Sequence, residues 1–277
     1  MGRMNEALKR AAEERERRLS QGATAPSVAP ALHGVGGTAG TFTAASPFRG
    51  GELDPHIVVV TDPRSPLAEQ YRTLRTNLLA HSPDSPLQAL VVTSAVPAEG
   101  KSVTSVNLAC ALAEEGERKV VLVDADMRKP TLHRLLGVDN QKGLADYLSG
   151  GTMLELVLQR SPLPNLWVLP SGRVPQNPAE LLGSKRMDDL LARLRRDYGF
   201  VVVDTPPVVS TTDAAVVSPR VDGTLLVVRM ESTPREVARH AVELLRKSRS
   251  NIVGTVLTGL QDAVHDYYYY PYGQPRG

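Results

Sequence analysis

The sequence has little of several features that mark specialised classes of protein. Cys110 is the single cysteine among 277 residues, so the chain cannot close an internal disulfide, as is typical of proteins from reducing compartments. A formal net charge of +2 argues against a dedicated nucleic-acid-binding protein, which would carry a clustered basic face. The sequence contains no run of about 18 apolar residues, so no membrane-spanning helix is predicted.

Changes in composition divide the chain into four segments. Residues 1–20 have the pattern of an amphipathic helix, which either docks on a partner or remains solvated. Residues 21–55 are rich in Gly, Ala, Ser, Thr and Pro, which predicts a flexible linker. A content of 42% hydrophobic residues is enough for one globular domain of about 200 residues. We place this domain at residues 56–262, and residues 263–277 form a tyrosine-rich C-terminal tail.

Apolar runs and helical patterns alternate through the globular segment. The runs are continuous stretches of Val, Leu and Ile, as expected for strands that are covered by helices on both faces of a sheet. The sequence therefore predicts an α/β fold with a doubly wound, mostly parallel sheet, in which ligands bind at the carboxyl ends of the strands. A helix is predicted to start at Ser65-Pro66. The predicted strands are 89–94, 119–124, 166–169, 200–204, 224–229 and 252–258, and further helices lie near 102–115, 143–149, 178–196, 211–218 and 234–248.

Residues 91–103 combine a buried strand, a tight loop and the first turn of a helix. The loop ends in Gly100-Lys101-Ser102, the second half of a phosphate-binding P-loop. Gly lets the backbone approach an anion, Lys reaches the β- and γ-phosphates, and the Ser hydroxyl can ligate Mg²⁺. The partially positive N-terminus of the helix points at the same anion. The usual motif begins with Gly where this chain has Ala95. The residues predicted to bind the nucleotide are Pro97, Ala98, Glu99, Gly100, Lys101, Ser102 and Val103.

Two of the predicted strands end in aspartates at this same edge of the sheet. Asp124 ends one strand and is followed by Asp126, and Asp204 ends another. An aspartate after a strand is also a common helix N-cap, but three carboxylates beside a P-loop are hard to explain as caps. P-loop enzymes hold Mg²⁺ with such carboxylates, directly or through water. The predicted cofactors are therefore ATP and Mg²⁺, with the metal on Ser102, Asp126 and Asp204.

Several separated motifs together resemble one family, the bacterial tyrosine kinases of polysaccharide export, which are relatives of the chromosome- and septum-positioning ATPases. The resemblance runs from about residue 66 to residue 272 and implies a P-loop NTPase fold. Its motifs are the Glu69-x-x-Arg72-x-x-Arg75 helix, the Walker A loop at 95–102, an acidic motif at 123–130, a middle signature at 170–182 and a Walker B segment at 204–207.

The resemblance implies a protein-tyrosine autokinase that transfers the γ-phosphoryl group of ATP to C-terminal tyrosines of a neighbouring chain. Lys101 neutralises charge on the moving group. A phenol of pKa about 10 is largely protonated at neutral pH, so a nearby proton acceptor is useful. Asp124 is the first candidate for this acceptor, the family's example gives Asp126 a share in the role, and Arg128 holds the phenolate or the phosphate product. The expected acceptors are Tyr267, Tyr268, Tyr269, Tyr270 and Tyr272.

The resemblance also implies partners. Glu69, Arg72 and Arg75 match the family's subunit-contact motif, which implies a ring-shaped homo-oligomer; by spacing alone they also fit a solvated, salt-bridged helix face. The expected protein partners are a transmembrane polysaccharide co-polymerase with an activating cytoplasmic tail and a phosphotyrosine phosphatase, and no nucleic acid is expected. The kinase is expected in the cytoplasm, peripheral to the inner membrane, where it regulates exopolysaccharide polymerisation and export.

Two departures from the pattern define the alternatives. The positioning ATPases carry a second lysine early in the P-loop, where this chain has Val96, and its absence disfavours their dimer mechanism. Thr258 stands where relatives often have an asparagine that contacts adenine. The alternative functions are a non-kinase ATPase that regulates or positions a complex, and a scaffold with a structural ATP site. The tyrosine tail argues against the first, and the intact Lys101 with its aspartates argues against the second.

Overall fold

A computed structural model of the protein describes residues 52–81, 86–114, 116 and 119–260. The predicted amphipathic helix at 1–20, nearly all of the linker at 21–55 and the tail at 263–277 lie outside these ranges, so what the sequence predicts for them stays a prediction. No helix within the described ranges is both long enough and apolar enough to cross a membrane.

Within the described residues, seven strands form one sheet. The strands are β1 Ala89–Ser94, β2 Val120–Asp124, β3 Gln159–Arg160, β4 Leu166–Leu169, β5 Phe200–Asp204, β6 Gly223–Arg229 and β7 Ile252–Thr258. Their spatial order is β3-β4-β2-β5-β1-β6-β7. Every neighbouring pair is parallel except β3 with β4 at one edge. The mostly parallel sheet that the sequence predicts is confirmed.

Helices connect the strands and cover both faces of the sheet. They are α1 Val58–Thr61, α2 Pro66–Ala80, α3 Lys101–Ala113, α4 Leu132–Leu136, α5 Leu144–Leu148, α6 Leu154–Val157, α7 Pro178–Leu182, α8 Lys185–Asp197, α9 Asp213–Val217 and α10 Arg235–Lys247, with a 3₁₀ turn at Ser218–Arg220. The doubly wound arrangement follows from the alternation of strands and helices along the chain.

The central strand β1 is buried on both of its faces. Leu90 and Val92 belong to one apolar cluster, which includes Leu108 of α3. Val91, which points the other way, belongs to a second cluster with Leu190 of α8. Each fully buried Val or Leu side chain contributes about 1.5–3 kcal/mol through the apolar area removed from water. The strand that leads into the P-loop is therefore anchored from two sides.

The predicted helix at 178–196 is two helices. α7 ends at Leu182, and the backbone at Ser184 is extended before α8 begins at Lys185. The Ser184 hydroxyl donates to the carbonyl of Leu181 at 2.7 Å, which satisfies a carbonyl at the end of α7. The short helices α1, α4 and α6 and the two-residue strand β3 were not predicted, because so few residues show no measurable period.

The charged edge of α2 contacts the C-terminal end of α3. Arg72 makes two hydrogen bonds of 2.9 Å to the carboxylate of Glu114, and its predicted pair with Glu69 is longer, at 3.3 Å. Arg75 donates to the carbonyl of Ala111 at 2.9 Å. The two arginines therefore join α2 to α3 within the chain, whereas the Glu69 side chain is 69% exposed.

Cys110 lies on the buried face of α3 and is fully buried. Burial raises the pKa of its thiol to about 12. Because the thiolate is the reactive form, we expect the native protein to react with a disulfide reagent about a hundredfold or more slowly than the unfolded protein. Thiol titration with and without guanidinium measures the two rates. Equal rates would contradict the burial of this side chain.

Candidate active site

The loop between β1 and α3 turns through two residues with left-handed backbone. Gly100 has a φ of 91° and Ala98 a φ of 67°. Glycine adopts this left-handed conformation without strain, whereas for Ala98, which has a β-carbon, it costs about 1–2 kcal/mol. Turns of this kind direct backbone N–H groups into an anion-binding concavity. Ala95, which replaces the usual first glycine, is fully buried in an apolar cluster with Val208 and Leu226, so its methyl group contributes to the core.

The Glu99 side chain holds the loop from the inside. It is 2% exposed, and its carboxylate accepts hydrogen bonds from the N–H of Val96 at 2.8 Å, from the N–H of Arg229 at 3.2 Å and from the hydroxyl of Thr233. The Thr258 hydroxyl donates to the Glu99 carbonyl at 2.7 Å. We call these four hydrogen bonds the Glu99 clamp. The sequence singled out Glu99 as a nucleotide contact, but its carboxylate is directed toward the protein and ties the loop to the end of β6, whereas its backbone carbonyl ties the loop to the end of β7.

The clamp predicts a measurable role for Thr258. Thr258→Val removes the hydroxyl but keeps the shape, and leaves the Glu99 carbonyl without that donor. We expect a loss of about fivefold in nucleotide affinity, the value of one hydrogen bond, with Thr258→Ser close to the original protein. Titration with a fluorescent ADP measures the affinity. If Thr258→Val instead changes the preference for ADP over GDP and leaves the affinity for ADP unchanged, Thr258 takes part in base recognition.

The structure brings Lys101, Ser102, Asp126 and Asp204 together at the carboxyl ends of β2 and β5. The Lys101 ammonium lies 2.8 Å from Asp126, 3.5 Å from Asp204 and 3.0 Å from the Ser102 hydroxyl. Asp204 accepts hydrogen bonds from Ser102 at 2.7 Å and from Ser105 at 3.0 Å. This juxtaposition follows from the register of the sheet, in which Asp124 and Asp204 are paired.

The carboxylate of Asp124, the first candidate for the proton acceptor, accepts backbone hydrogen bonds on both of its oxygens. It is fully buried, and one carboxylate oxygen accepts from the N–H of Asp126 at 3.2 Å. The other oxygen accepts from the N–H groups of Thr131 and Leu132, also at 3.2 Å. Asp124 therefore shapes the segment that carries Asp126.

The electrostatics of the cluster are those of buried charges in close contact. Burial and the nearby Asp204 raise the pKa of Asp124 well above its usual value. Burial likewise raises the pKa of Asp204, although Lys101 opposes the shift. Burial lowers the pKa of Lys101, but the nearby negative charges of Asp204 and Asp126 outweigh this effect, so its pKa is raised. A bound cation would offset the repulsion among these carboxylates.

The oxygen atoms beside Lys101 suit a hard cation. The Ser102 hydroxyl and the Asp204 carboxylate are 2.7 Å apart, and Mg²⁺ prefers such oxygen ligands together with water and phosphate oxygens. Within the part of the chain that the structure describes, no three Asp, Glu, His or Cys side chains are grouped as a metal site.

Arg128 is already paired within the chain. It donates to both carboxylate oxygens of Asp213, at 2.8 and 3.0 Å, and the Asp213 side chain is fully buried. The hydrogen bonds that Arg128 donates to this carboxylate raise the pKa of Arg128. Sequence reasoning missed Asp213, which lies 85 positions further along the chain.

Two cavities adjoin the P-loop, and Gly100 and Val103 belong to the lining of both. One of about 410 Å³ extends from the P-loop to the start of α4 and is lined by Pro97, Ala98, Gly100, Lys101, Ser102, Val103, Asp126, Arg128, Lys129, Thr131, Arg134, Leu135, Pro206, Pro207, Ser210 and Thr211. We call it the inner cavity. The other, of about 640 Å³, lies between α2 and the end of β7. The predicted nucleotide-binding residues line the inner cavity except Glu99, which borders the second.

Comparison with known proteins identifies the same part of the chain. A family model described as "AAA domain" matches residues 97–238. Tyrosine-protein kinase YwqD of Bacillus subtilis (strain 168) is 40% identical over 222 residues, which cover 80% of this chain and 93% of YwqD. Putative tyrosine-protein kinase EpsB of Ralstonia nicotianae is 38% identical over 207 residues, which cover 75% of this chain but 27% of EpsB. The chain therefore spans about a quarter of that longer relative.

Solved structures show the same relationship. The kinase domain of Escherichia coli tyrosine kinase ETK superposes with a TM-score of 0.72 and 35% identity, covering 78% of this chain and 84% of that chain. The septum site-determining protein MinD of Pyrococcus horikoshii, solved with Mg-ADP, gives a TM-score of 0.53 and 26% identity over 61% of this chain and 69% of that one. Its resemblance supports the kinship with positioning ATPases that the sequence predicts. With 40% identity over nearly the whole of YwqD and a kinase domain as structural neighbour, the chain belongs to the bacterial tyrosine-protein kinases.

Proposed function

We propose that this kinase binds Mg·ATP at the P-loop and transfers the γ-phosphoryl group to the tail tyrosines of a second copy of the chain. The observation that carries the proposal is the contact of Lys101 with Asp126, Asp204 and Ser102 at the mouth of the inner cavity. The acceptors would be the tail tyrosines, Tyr267, Tyr268, Tyr269, Tyr270 and Tyr272.

The nucleotide would span both cavities. Its phosphates would lie along the loop 96–102, at the N-terminus of α3, and its base would enter the larger cavity beyond Gly100 and Val103. Ser102 and Asp204, with Asp126 beside them, would hold Mg²⁺, which would offset the charge that develops on the phosphate oxygens.

The Lys101 ammonium can pair either with the Asp126 carboxylate or with the phosphate oxygens of a nucleotide. In the structure this ammonium lies 2.8 Å from the Asp126 carboxylate. When the β- and γ-phosphate oxygens are present, they compete for the ammonium and release the Asp126 carboxylate to face the acceptor. Lys101 then stabilises the negative charge of the transferring group, the kind of electrostatic contribution that dominates phosphoryl transfer.

Asp126 is the proton acceptor that the geometry favours over Asp124. Both oxygens of Asp124 accept hydrogen bonds from backbone N–H groups, whereas one oxygen of Asp126 faces Lys101 at the edge of the inner cavity. The phenol oxygen forms a bond to the γ-phosphorus as the bond to the β,γ-bridging oxygen breaks. The leaving group is ADP, and the phenol proton passes to Asp126.

Asp126→Asn and Asp124→Asn distinguish these roles. We expect Asp126→Asn to lower the turnover number about a hundredfold or more, the usual worth of a general base, and to change ADP affinity by only a few fold. Asp124→Asn is expected to lower the unfolding free energy as well, because an amide nitrogen cannot accept the backbone N–H groups. Single-turnover kinetics and denaturant titration are the measurements. A larger turnover loss for Asp124→Asn, with unchanged stability, would reverse the assignment.

The oligomer that the proposal requires would form along α2. Arg72 and Arg75 are occupied by α3 within the chain, so Glu69, which is 69% exposed, is the member of the motif that is available to a neighbour. Each phosphotyrosine adds about −1.5 to −2 charges, so phosphorylated tails would repel one another and loosen the ring. Size-exclusion chromatography of phosphorylated and phosphatase-treated protein tests this, and an unchanged elution volume counts against it.

The direct test of function is incubation with Mg·ATP. The expected partner is a membrane co-polymerase of a polysaccharide system, so the assay runs with and without a peptide from its cytoplasmic tail. Mass spectrometry should find phosphate on residues 267–272. If ATP-saturated protein with the activating peptide shows unmodified tyrosines, the chain is instead an ATP-dependent regulator without kinase activity, the alternative function.

A further inference from the structure

The outer wall of the inner cavity is rich in positive charge. Lys101, Arg128, Lys129 and Arg134 all line this cavity, and the carboxylate among its lining residues is Asp126. A cluster of this kind attracts anions only to the extent that its cations are not already paired with carboxylates of the protein. Whether each of these cations is already paired therefore determines whether it is available to bind an anion.

Two of these cations are occupied. Lys101 contacts Asp126 at 2.8 Å and belongs to the phosphate site. Arg128 donates both of its hydrogen bonds to Asp213, whose side chain is fully buried. Breaking that pair would leave an uncompensated buried carboxylate, which is costly. Arg128 is therefore held in place and is a poor ligand for an incoming anion.

Lys129 and Arg134 remain. Both are exposed, and neither forms a salt bridge with a carboxylate in the ranges that the structure describes. We call them the rim pair. Together they place two positive charges on the lining of the inner cavity, and no carboxylate of the described residues forms a salt bridge with either.

Backbone hydrogen bonds fix the main chain of the rim pair relative to the reacting groups. The N–H of Lys129 donates to Asp126 at 3.0 Å, and the N–H of Arg134 donates to the carbonyl of Thr131 at 3.1 Å. The Thr131 hydroxyl in turn lies 3.5 Å from that of Ser102. The segment 129–134 therefore borders the site directly, and its two cations are positioned for whatever enters beside the γ-phosphate.

We propose that the rim pair recognises carboxylates that flank the acceptor tyrosine, so that the kinase favours tyrosines preceded by aspartate on a second copy of this chain. This inference rests on the proposed function. Asp266 directly precedes Tyr267, and Asp262 lies five residues before Tyr267. Residues 261–272 contain no lysine or arginine, so this part of the tail is complementary in charge to the rim pair.

The expected size of the effect is moderate because both cations are exposed. An ion pair at an exposed site changes affinity by roughly 1.5- to 5-fold, so two pairs together predict a preference of about tenfold. The preference is expected to shrink when salt is raised, because the Debye length falls from about 10 Å at 0.1 M to about 3 Å at 1 M.

The test uses a peptide of residues 261–272 and a version with Asp262→Asn and Asp266→Asn. The enzyme is the full chain with its five tail tyrosines replaced by phenylalanine. We expect kcat/KM to fall about tenfold for the neutral peptide, with an unchanged KM for ATP. The double variant Lys129→Gln, Arg134→Gln should lose this preference, and Lys185→Gln, an exposed lysine at the start of α8, should retain it. Fluorescence anisotropy of a labelled peptide gives a binding readout without ATP.

The outcomes separate the two proposals. If the unaltered chain forms phosphotyrosine but both peptides are phosphorylated equally well, the rim pair does not select acceptors and the proposed function stands. A higher KM for ATP in the double variant would mean that Lys129 and Arg134 bind the nucleotide, which also overturns the inference. If no phosphotyrosine forms on chain or peptide, the proposed function fails and the inference fails with it.

Discussion

Lys101→Met is expected to lower the rate of tail phosphorylation at least about a hundredfold, the usual cost of removing one group that stabilises transition-state charge. The ammonium lies within 3.5 Å of both Asp126 and Asp204, so its loss has a second effect. Two buried carboxylates lose their counter-charge, and their repulsion of the phosphates increases. Quantitative mass spectrometry of residues 267–272 after incubation with Mg·ATP measures the rate.

The matched control for this variant is Lys185→Met, since Lys185 is an exposed lysine at the start of α8, away from the P-loop. It should phosphorylate its tail at the original rate. Thermal unfolding of both variants separates loss of function from loss of fold. If folded Lys101→Met protein keeps a tenth or more of the original rate, the phosphate site lies elsewhere.

Mixing two inactive chains is expected to restore phosphorylation if transfer occurs between copies. One chain carries Lys101→Met with its tail intact, and the other has Tyr267, Tyr268, Tyr269, Tyr270 and Tyr272 replaced by phenylalanine. The first has acceptors without a working site, and the second has a site without acceptors. We expect phosphate on the first chain only, at a rate that rises with the concentration of the second.

The tail variant alone supplies the control. It should bind ADP with the affinity of the original protein, because the P-loop and the Glu99 clamp are unchanged, and it should give no signal at residues 267–272. A mixture that stays unphosphorylated while the original chain is active would mean that each tail reaches its own site. The proposed transfer between copies would then be wrong, although the kinase activity would stand.

The parts of the site that could be predicted from sequence are those whose residues are close along the chain. The strand, loop and helix from Ala89 to Ala113 are continuous in the chain, and the Gly100-Lys101-Ser102 motif within them predicts the phosphate site. Asp204 was also foreseen, because an apolar run ending in aspartate identifies the carboxyl end of a strand. Helix starts such as that at Ser65 followed from capping chemistry, which is equally local.

The parts that could not be predicted depend on partners far apart in the chain. The Thr258 hydroxyl bonds to Glu99, 159 positions away, and Arg128 pairs with Asp213 at a separation of 85. The sequence assigned Glu99 to the nucleotide and Arg128 to the phenolate or the phosphate product, and it assigned no role to Asp213. No local pattern indicates that another element satisfies these side chains first.

The sequence by itself determined that this chain is a P-loop α/β protein with a kinase's motifs, because hydrophobic period, loop chemistry and strand-end aspartates are properties of short segments. Only the tertiary structure decided which aspartate faces Lys101 and which cations are left for an acceptor. The physical reason is that the register of β2 against β5 and the backbone hydrogen bonds of residues 126–132 orient these side chains, and both arise when distant segments pack together.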